Sequence, residues 1–133
     1  MRTAIILLLL SNVVAGANLK RETPVIRIAA ERNGISYKSD DWYLLCAIRM
    51  AENGREGLEF GIMDKRADNL DKQAGWASAT IINQHKRSGI KAVNAKFIDS
   101  LGNRYCPVGC DNDNGTNKFW KKNVTYWFKE LRK

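Results

Sequence analysis

The chain has 133 residues, with 22 Lys and Arg against 14 Asp and Glu and a formal net charge of +8. This length is enough for one small domain around a single hydrophobic core. The excess of basic charge favours an anionic partner, such as cell-wall polymer, an anionic lipid surface or nucleic acid. Because no standard nucleic-acid-binding motif is present, we expect no nucleic-acid partner.

The first 17 residues have the pattern of a secretory signal. Arg2 precedes an apolar run over Ala4–Leu10, and Ala-Gly-Ala at 15–17 provides a cleavage site. The run is too short to span a bilayer comfortably, although an uncleaved anchor is the alternative. We therefore predict a signal peptide at 1–17, a domain at 18–133 and a secreted or periplasmic, cell-envelope location. We expect the mature chain to be a monomer that is not an integral membrane protein.

Five segments have the apolar spacing and end signals of α-helices. Thr23 followed by Pro24 is a typical helix start, and Gly34 and Gly89 are typical stops. Residues 54–69 are irregular and predict a loop, with a short β-ribbon as the alternative. The sequence thus predicts an all-α single domain of about five helices. These run from Thr23 to Asn33, from Ser39 or Asp40 to Glu52, from Asn69 or Asp71 to about Arg87, from about Val93 to Leu101, and from about Lys118 to Leu131.

Three cysteines are present, an odd number for a chain that is expected to be exported. Cys106 and Cys110 flank Pro-Val-Gly and are candidates for a disulfide that closes this loop. Cys46 lies on the apolar face of the second predicted helix, which favours a buried free thiol, and its pairing with one loop cysteine is the alternative. The single histidine, His85, has no partner at a ligand spacing, so we expect neither a metal nor a cofactor.

Glu52 is the candidate catalytic residue. It falls at the end of the second predicted helix, before Asn53 and Gly54, where a carboxyl lies near the negative end of the helix dipole. If that carboxyl is also buried, both effects disfavour its ionised form and raise its pKa. A carboxyl that keeps its proton near neutral pH can protonate a leaving group. The glycines that follow, Gly57 and Gly61, allow a close approach of the backbone.

The segment Ala47–Met63 as a whole resembles the catalytic segment of the lysozyme-like superfamily, especially of soluble lytic transglycosylases and goose-type lysozymes. In these proteins a helix ends in a catalytic Glu, a small polar residue and Gly follow, and a short loop ends in a Gly-aliphatic-Met run. This chain has Asn53 where Ser is commoner and Asp64 where Gln is expected. The resemblance implies a lysozyme-like fold and cleavage of the β-1,4 bond between N-acetylmuramic acid and N-acetylglucosamine in peptidoglycan glycan strands.

The resemblance also implies roles for individual side chains. Glu52 would act first as the acid and then as the base, without a second carboxylate. Phe60, Gly61 and Met63 would line the substrate cleft, and Tyr105 would direct its hydroxyl at Glu52 or at the acetamido group of the substrate. An ordinary place for Tyr105 in the core or at its rim is the alternative. A two-carboxylate glycosidase would instead draw its second acid from Glu56, Glu59 or Asp64.

Two other functions stay open. One is a non-catalytic exported protein that binds the cell wall on the same scaffold, which the missing Gln after Met63 and the loop cysteines favour. The other, ranked last, is a basic protein that acts on membranes or nucleic acid. The last helix alternates aromatic and basic residues over 117–127, which suit sugar rings and anionic polymer, although the helical spacing of Trp120 and Trp127 favours core positions.

Overall fold

The computed structural model describes residues 16–105 and 118–133, and this part of the chain forms five α-helices. No strand occurs in these residues, so the prediction of an all-α domain is confirmed, whereas the alternative of a β-ribbon at 54–69 is wrong. Most of the predicted signal sequence and both loop cysteines, Cys106 and Cys110, lie outside the described residues. The helices are α1 (Leu19–Arg32), α2 (Asp40–Glu52), α3 (Leu70–Ser88), α4 (Ala95–Tyr105) and α5 (Lys118–Leu131).

Polar side chains begin the first three helices, as the sequence predicts for two of them. The side chains of Asn18, Ser39 and Asn69 each accept a hydrogen bond from the backbone N–H three residues later. Helix α1 begins earlier than predicted, at Leu19 after the Asn18 cap, and the hydroxyl of Thr23 donates to the carbonyl of Leu19 at 2.6 Å instead of capping a helix. Pro24 therefore lies inside α1.

Helix α2 is the centre of the domain, with α5 packed along it, while α1 packs mainly on α3. Seven of the thirteen α2 residues are buried, which makes α2 the most enclosed helix. Cys46 is among them as a free thiol, 4% exposed, and its burial, with a smaller effect of the Glu22 charge, raises its pKa to about 12. None of the described helices combines the length and the apolar composition that crossing a bilayer requires.

One charged residue, Arg49, is buried within this apolar core. Arg49 of α2 is 2% exposed, and its Nε and Nη2 donate to the two carboxylate oxygens of Glu22 of α1 at 2.7 and 2.8 Å. Its remaining Nη1 donates to the carbonyl oxygens of Gly54 and Glu59 at 2.9 and 3.0 Å. One guanidinium thus connects α1, α2 and the loop that follows α2.

The same loop is held from its other side by Gln73 of α3, which is fully buried. The side-chain oxygen accepts the N–H groups of Phe60 and Ile62 at 3.0 and 3.2 Å. The side-chain nitrogen lies 2.7 to 2.9 Å from the carbonyl oxygens of Gly57, Ile62 and Ala67. Side chains of two helices therefore form the hydrogen bonds that neighbouring strands would form in a β-sheet. They satisfy backbone groups of the loop that would otherwise be buried without partners.

We expect Arg49→Met to lower the free energy of unfolding by about 3–5 kcal/mol, because it leaves the Glu22 carboxylate buried without its partner. The matched control is Arg27→Met, which removes an exposed arginine of α1 whose ion pair with Glu31 has an N–O distance of 3.4 Å and whose guanidinium lies 4.0 Å from the centroid of the Tyr37 ring. That variant is expected to change stability by about 1 kcal/mol or less. Urea unfolding followed by far-UV circular dichroism measures both. Equal losses would show that the buried pair has no special role.

Candidate functional site

Glu52 is the last residue of α2, and the chain turns immediately after it. Asn53 adopts the left-handed conformation with φ 48°, which ends the helix and leaves the Glu52 side chain at its carboxyl end. The residue is half-buried. Its carboxyl therefore has both properties that raise the pKa of a glutamic acid, a position at the negative end of a helix and partial removal from water.

Both carboxylate oxygens of Glu52 have close neighbours. The indole Nε1–H of Trp120 of α5 donates to Oε2 at 2.9 Å. On the other side lies the backbone of Gly61, which has φ 73°, and a Cβ at this position would be only 2.3 Å from Oε1. Only glycine, with no Cβ, leaves room for the carboxyl here, so the loop glycine that was expected to approach a ligand approaches Glu52 itself.

Tyr105 completes the group, at the end of α4. Its ring stacks on Trp120, with centroids 5.3 Å apart and planes inclined by 30°. Its hydroxyl donates to the carbonyl oxygen of Phe60. Burial, together with the nearby charge of Glu52, raises the pKa of Tyr105 well above its ordinary value, so the phenol stays neutral. The structure thus brings Tyr105, Phe60, Gly61 and Glu52 together, with Tyr105 bonded to the loop backbone.

The environment of Glu52 favours its protonated form. Desolvation by burial raises its pKa above the ordinary value, and the hydrogen bond from Trp120 acts in the opposite direction by stabilising the ionised form. Desolvation is the larger effect, so the net shift is upward. A glutamic acid in this setting keeps its proton to a higher pH than a solvated one and can deliver it to a basic leaving group.

The other residues predicted for a substrate site lie in different surroundings. The side chain of Phe60 is fully buried in the core and has no exposed surface, whereas Met63 is 71% exposed. Met63 lines a cavity of about 370 Å³ together with the loop residues 55–58, 64, 65, 67 and 68. A second cavity, of about 690 Å³, is lined by charged residues that include Arg55, Glu56 and Glu59. Glu52 is not in the lining of either cavity.

The acids considered as a second carboxylate are bound to other groups or exposed. Glu59 is 5% exposed and accepts the backbone N–H of Gly57 at 3.0 Å. Both oxygens of Asp64 are held by Arg66, whose hydrogen bonds lower the pKa of Asp64 to about 2. Glu56 is exposed on the loop. Among the described residues, no group of three or more His, Cys, Asp or Glu is arranged to hold a metal ion.

Sequence reasoning missed the side chains that position Glu52. The helical spacing of Trp120 predicts a core position, and Trp120 does pack against the core, but its indole N–H also donates to Glu52. The available signal was general, namely that a half-buried indole N–H needs an acceptor. The sequence contains no signal that Arg49 and Gln73 are buried, because a polar residue in a helix is ordinarily solvated.

Comparison of the chain with protein-family models, with curated proteins and with solved structures found no match. The case for a function therefore depends on the residues and their geometry.

Gly61→Ala tests the contact between the loop backbone and Glu52, with Gly89→Ala as its matched control. Both glycines have nearly the same φ, 73° and 72°, but a Cβ at Gly89 meets nothing within 4 Å. Backbone strain should cost each variant about 1–2 kcal/mol. Only Gly61→Ala should also push the Glu52 carboxyl out towards water, which brings its pKa down towards the ordinary value. Carboxyl ¹³C NMR titration measures this, and an unchanged Glu52 titration in Gly61→Ala would contradict the observed packing.

Trp120→Phe tests the hydrogen bond to Glu52 while it keeps an aromatic ring against Tyr105. Without the indole donor the ionised carboxylate loses its partner, so we expect the pKa of Glu52 to rise further. The hydrogen bond stabilises the ionised carboxylate, which is present only above the pKa of Glu52. The variant should therefore lose about 1 kcal/mol of unfolding free energy at a pH above that pKa and less below it. Trp76→Phe, at an exposed tryptophan of α3, is the control and should leave the Glu52 titration unchanged. A Glu52 pKa that falls in Trp120→Phe would refute the assignment.

Proposed function

We propose that the protein is an exported glycosidase of the lysozyme-like type that cleaves the β-1,4 bond between N-acetylmuramic acid and N-acetylglucosamine, with Glu52 as general acid. The observation that carries the proposal is the state of the Glu52 carboxyl, which is half-buried at a helix end and has a raised pKa. The proposed reaction is inferred from the resemblance of Ala47–Met63 to lytic transglycosylases and goose-type lysozymes. Export and an anionic substrate are inferred from the signal-like first 17 residues and the basic charge.

In the proposed reaction Glu52 gives its proton to the glycosidic oxygen as the bond from that oxygen to C1 breaks. The substrate's own acetamido oxygen stabilises the positive charge that develops at C1. Glu52, now a carboxylate, then accepts a proton from the group that attacks C1. Attack by the C6 hydroxyl of the same sugar gives a 1,6-anhydro product, and attack by water gives a reducing end. Trp120 favours the carboxylate form through its hydrogen bond and so acts in the second half of the reaction.

The surroundings of two of the three remaining candidate acids support a mechanism with one carboxyl, whereas Glu56 is exposed on the loop. Glu59 and Asp64 are both engaged, by the Gly57 N–H and by Arg66. An inverting or retaining mechanism needs a second carboxyl that is free to act on water or on C1. Substrate assistance by the acetamido group removes that need.

A second candidate function is wall binding without cleavage. It is favoured by the two close contacts of the Glu52 carboxyl, from the Trp120 indole and from the Gly61 backbone, and by the absence of Glu52 from the linings of the cavities described above. In that case the raised pKa of Glu52 would be a consequence of packing alone.

The deciding experiment compares wild-type protein with Glu52→Gln on purified peptidoglycan, with mass spectrometry of the released fragments. We expect a loss of at least about 100-fold in rate, the lower range for one general acid. The amide cannot ionise, so Glu52→Gln should be at least as stable as wild type above the Glu52 pKa, and unfolding curves will exclude loss of fold as the cause. Glu59→Gln is the matched control and should retain activity. Equal turnover by Glu52→Gln would refute the proposed acid.

The pH dependence provides a further check on the same residue. Because the acid form of Glu52 is required, the rate should fall as pH rises through its raised pKa. Trp120→Phe should move that fall to higher pH, since the lost hydrogen bond stabilised the carboxylate. A wild-type protein that binds peptidoglycan and releases no fragment at any pH would favour the wall-binding function instead.

A further inference from the structure

The outer face of α5 carries two exposed aromatic rings and two exposed lysines in one stripe. Phe119 and Tyr126 are 64% and 56% exposed, and Lys122 and Lys129 are also exposed. At 3.6 residues per turn, these four side chains fall within an arc of about 80° around the helix. We call them the α5 stripe.

The stripe is not needed to hold α5 in the domain. Val124 and Phe128, on the opposite side of α5, are 0% and 4% exposed, and Trp120 and Trp127 pack against the same core. Tyr126 contacts the ring of its neighbour Trp127, with centroids 5.1 Å apart and planes inclined by 81°, but more than half of each stripe ring is exposed. A helix that already buries its apolar side gains little stability from two such rings. Exposed large aromatic side chains beside a basic surface are a feature that fits binding better than folding.

The α5 stripe repeats. Each aromatic residue precedes a lysine by three positions, as Phe119–Lys122 and again as Tyr126–Lys129, so both pairs lie on one side of the helix. Seven residues separate the pairs, which corresponds to about 10 Å along the axis. Helix α5 has only one acidic residue, Glu130, and it is paired with Lys133 at 2.7 Å. The stripe therefore presents positive charge and exposed aromatic side chains at one regular spacing.

We propose that the α5 stripe binds an acidic glycan strand, with sugar rings on Phe119 and Tyr126 and the anionic groups of the strand on Lys122 and Lys129. A spacing of about 10 Å is comparable to the length of one disaccharide of an extended β-1,4 chain. Strands that carry one acidic substituent per disaccharide thus match both the rings and the charges. This choice of polymer rests on the proposed function, but the surface is separate from Glu52 and faces away from the core.

Two other anionic partners fit the stripe less well. Each strand of double-helical nucleic acid carries a phosphate about every 3.4 Å along the helix axis, about three times more densely than the lysines of the stripe are spaced. Insertion into a lipid surface needs a broad apolar helix face, and that face of α5 is buried against the core. Charge density and the geometry of α5 thus favour a glycan.

The test measures binding of Glu52→Gln protein, which does not cleave in the proposed mechanism, to purified peptidoglycan sacculi and to chitin, an uncharged β-1,4 glycan. Phe119→Ala/Tyr126→Ala should weaken binding to both polymers by at least about tenfold. Lys122→Gln/Lys129→Gln should weaken binding to sacculi by a similar factor, should make it less sensitive to salt, and should leave chitin binding unchanged. Circular dichroism checks that each variant is folded. If Phe119→Ala/Tyr126→Ala does not fold, the result for Lys122→Gln/Lys129→Gln alone tests the proposal.

Matched controls are Lys20→Gln/Lys91→Gln, which removes two exposed lysines outside α5, and Val25→Ala/Ile28→Ala, which removes two exposed apolar side chains of α1. Neither control should change binding.

Equal losses of binding in the controls, or unchanged binding in both stripe variants, would overturn the proposal. Tighter stripe-dependent binding to a single-stranded oligonucleotide, or to vesicles of phosphatidylcholine and phosphatidylglycerol in equal parts, would overturn the choice of a glycan. Because cleavage is not measured, failure of Glu52 as an acid leaves these outcomes interpretable.

Discussion

The organisation of the domain depends on one buried guanidinium. Arg49 is almost without solvent contact, and its donors are divided between the Glu22 carboxylate of α1 and two carbonyl oxygens of the loop after α2. A buried charge is tolerated only when it is fully paired, so these partners must occupy fixed positions whenever the chain is folded. Glu52 lies one turn beyond Arg49 on the same helix. The loop that shapes its surroundings is therefore anchored to the helix that carries it.

The irregular loop acquires a defined shape without any regular structure of its own. Arg49 from one side and Gln73 from the other satisfy its backbone groups, and this fixes Gly61 against the Glu52 carboxyl and the Phe60 carbonyl against the Tyr105 hydroxyl. The loop, α2, α4 and α5 thus meet around one acid. That arrangement opposes local stability, because it desolvates a carboxylate and the Trp120 hydrogen bond offsets the desolvation only in part. A conflict between stability and local chemistry of this kind is typical of functional sites.

Helix α5 contributes to two different surfaces. Its inner side supplies Trp120 to the Glu52 group and Val124 and Phe128 to the core, while its outer side presents rings and lysines to solvent. A helix can separate such roles because side chains three or four residues apart share a face, and neighbours in sequence do not. The alternation of aromatic and basic residues, read along the chain as one motif, is thereby divided between the interior and the surface. Trp120 and Phe119 are adjacent in sequence and have different environments.

The sequence by itself determined the all-α class, the approximate positions of the helices and the place of Glu52 at the end of α2, because helix periodicity, caps and stops act over a few residues. It also predicted a buried Cys46 thiol. It could not determine that Phe60 is a core side chain, that Gly61 lies against Glu52, or that Arg49, Gln73 and Trp120 hold the site together. Each of these contacts joins residues from different elements. Only the packing of the helices decides which donor meets which acceptor, and how much water remains at a carboxyl.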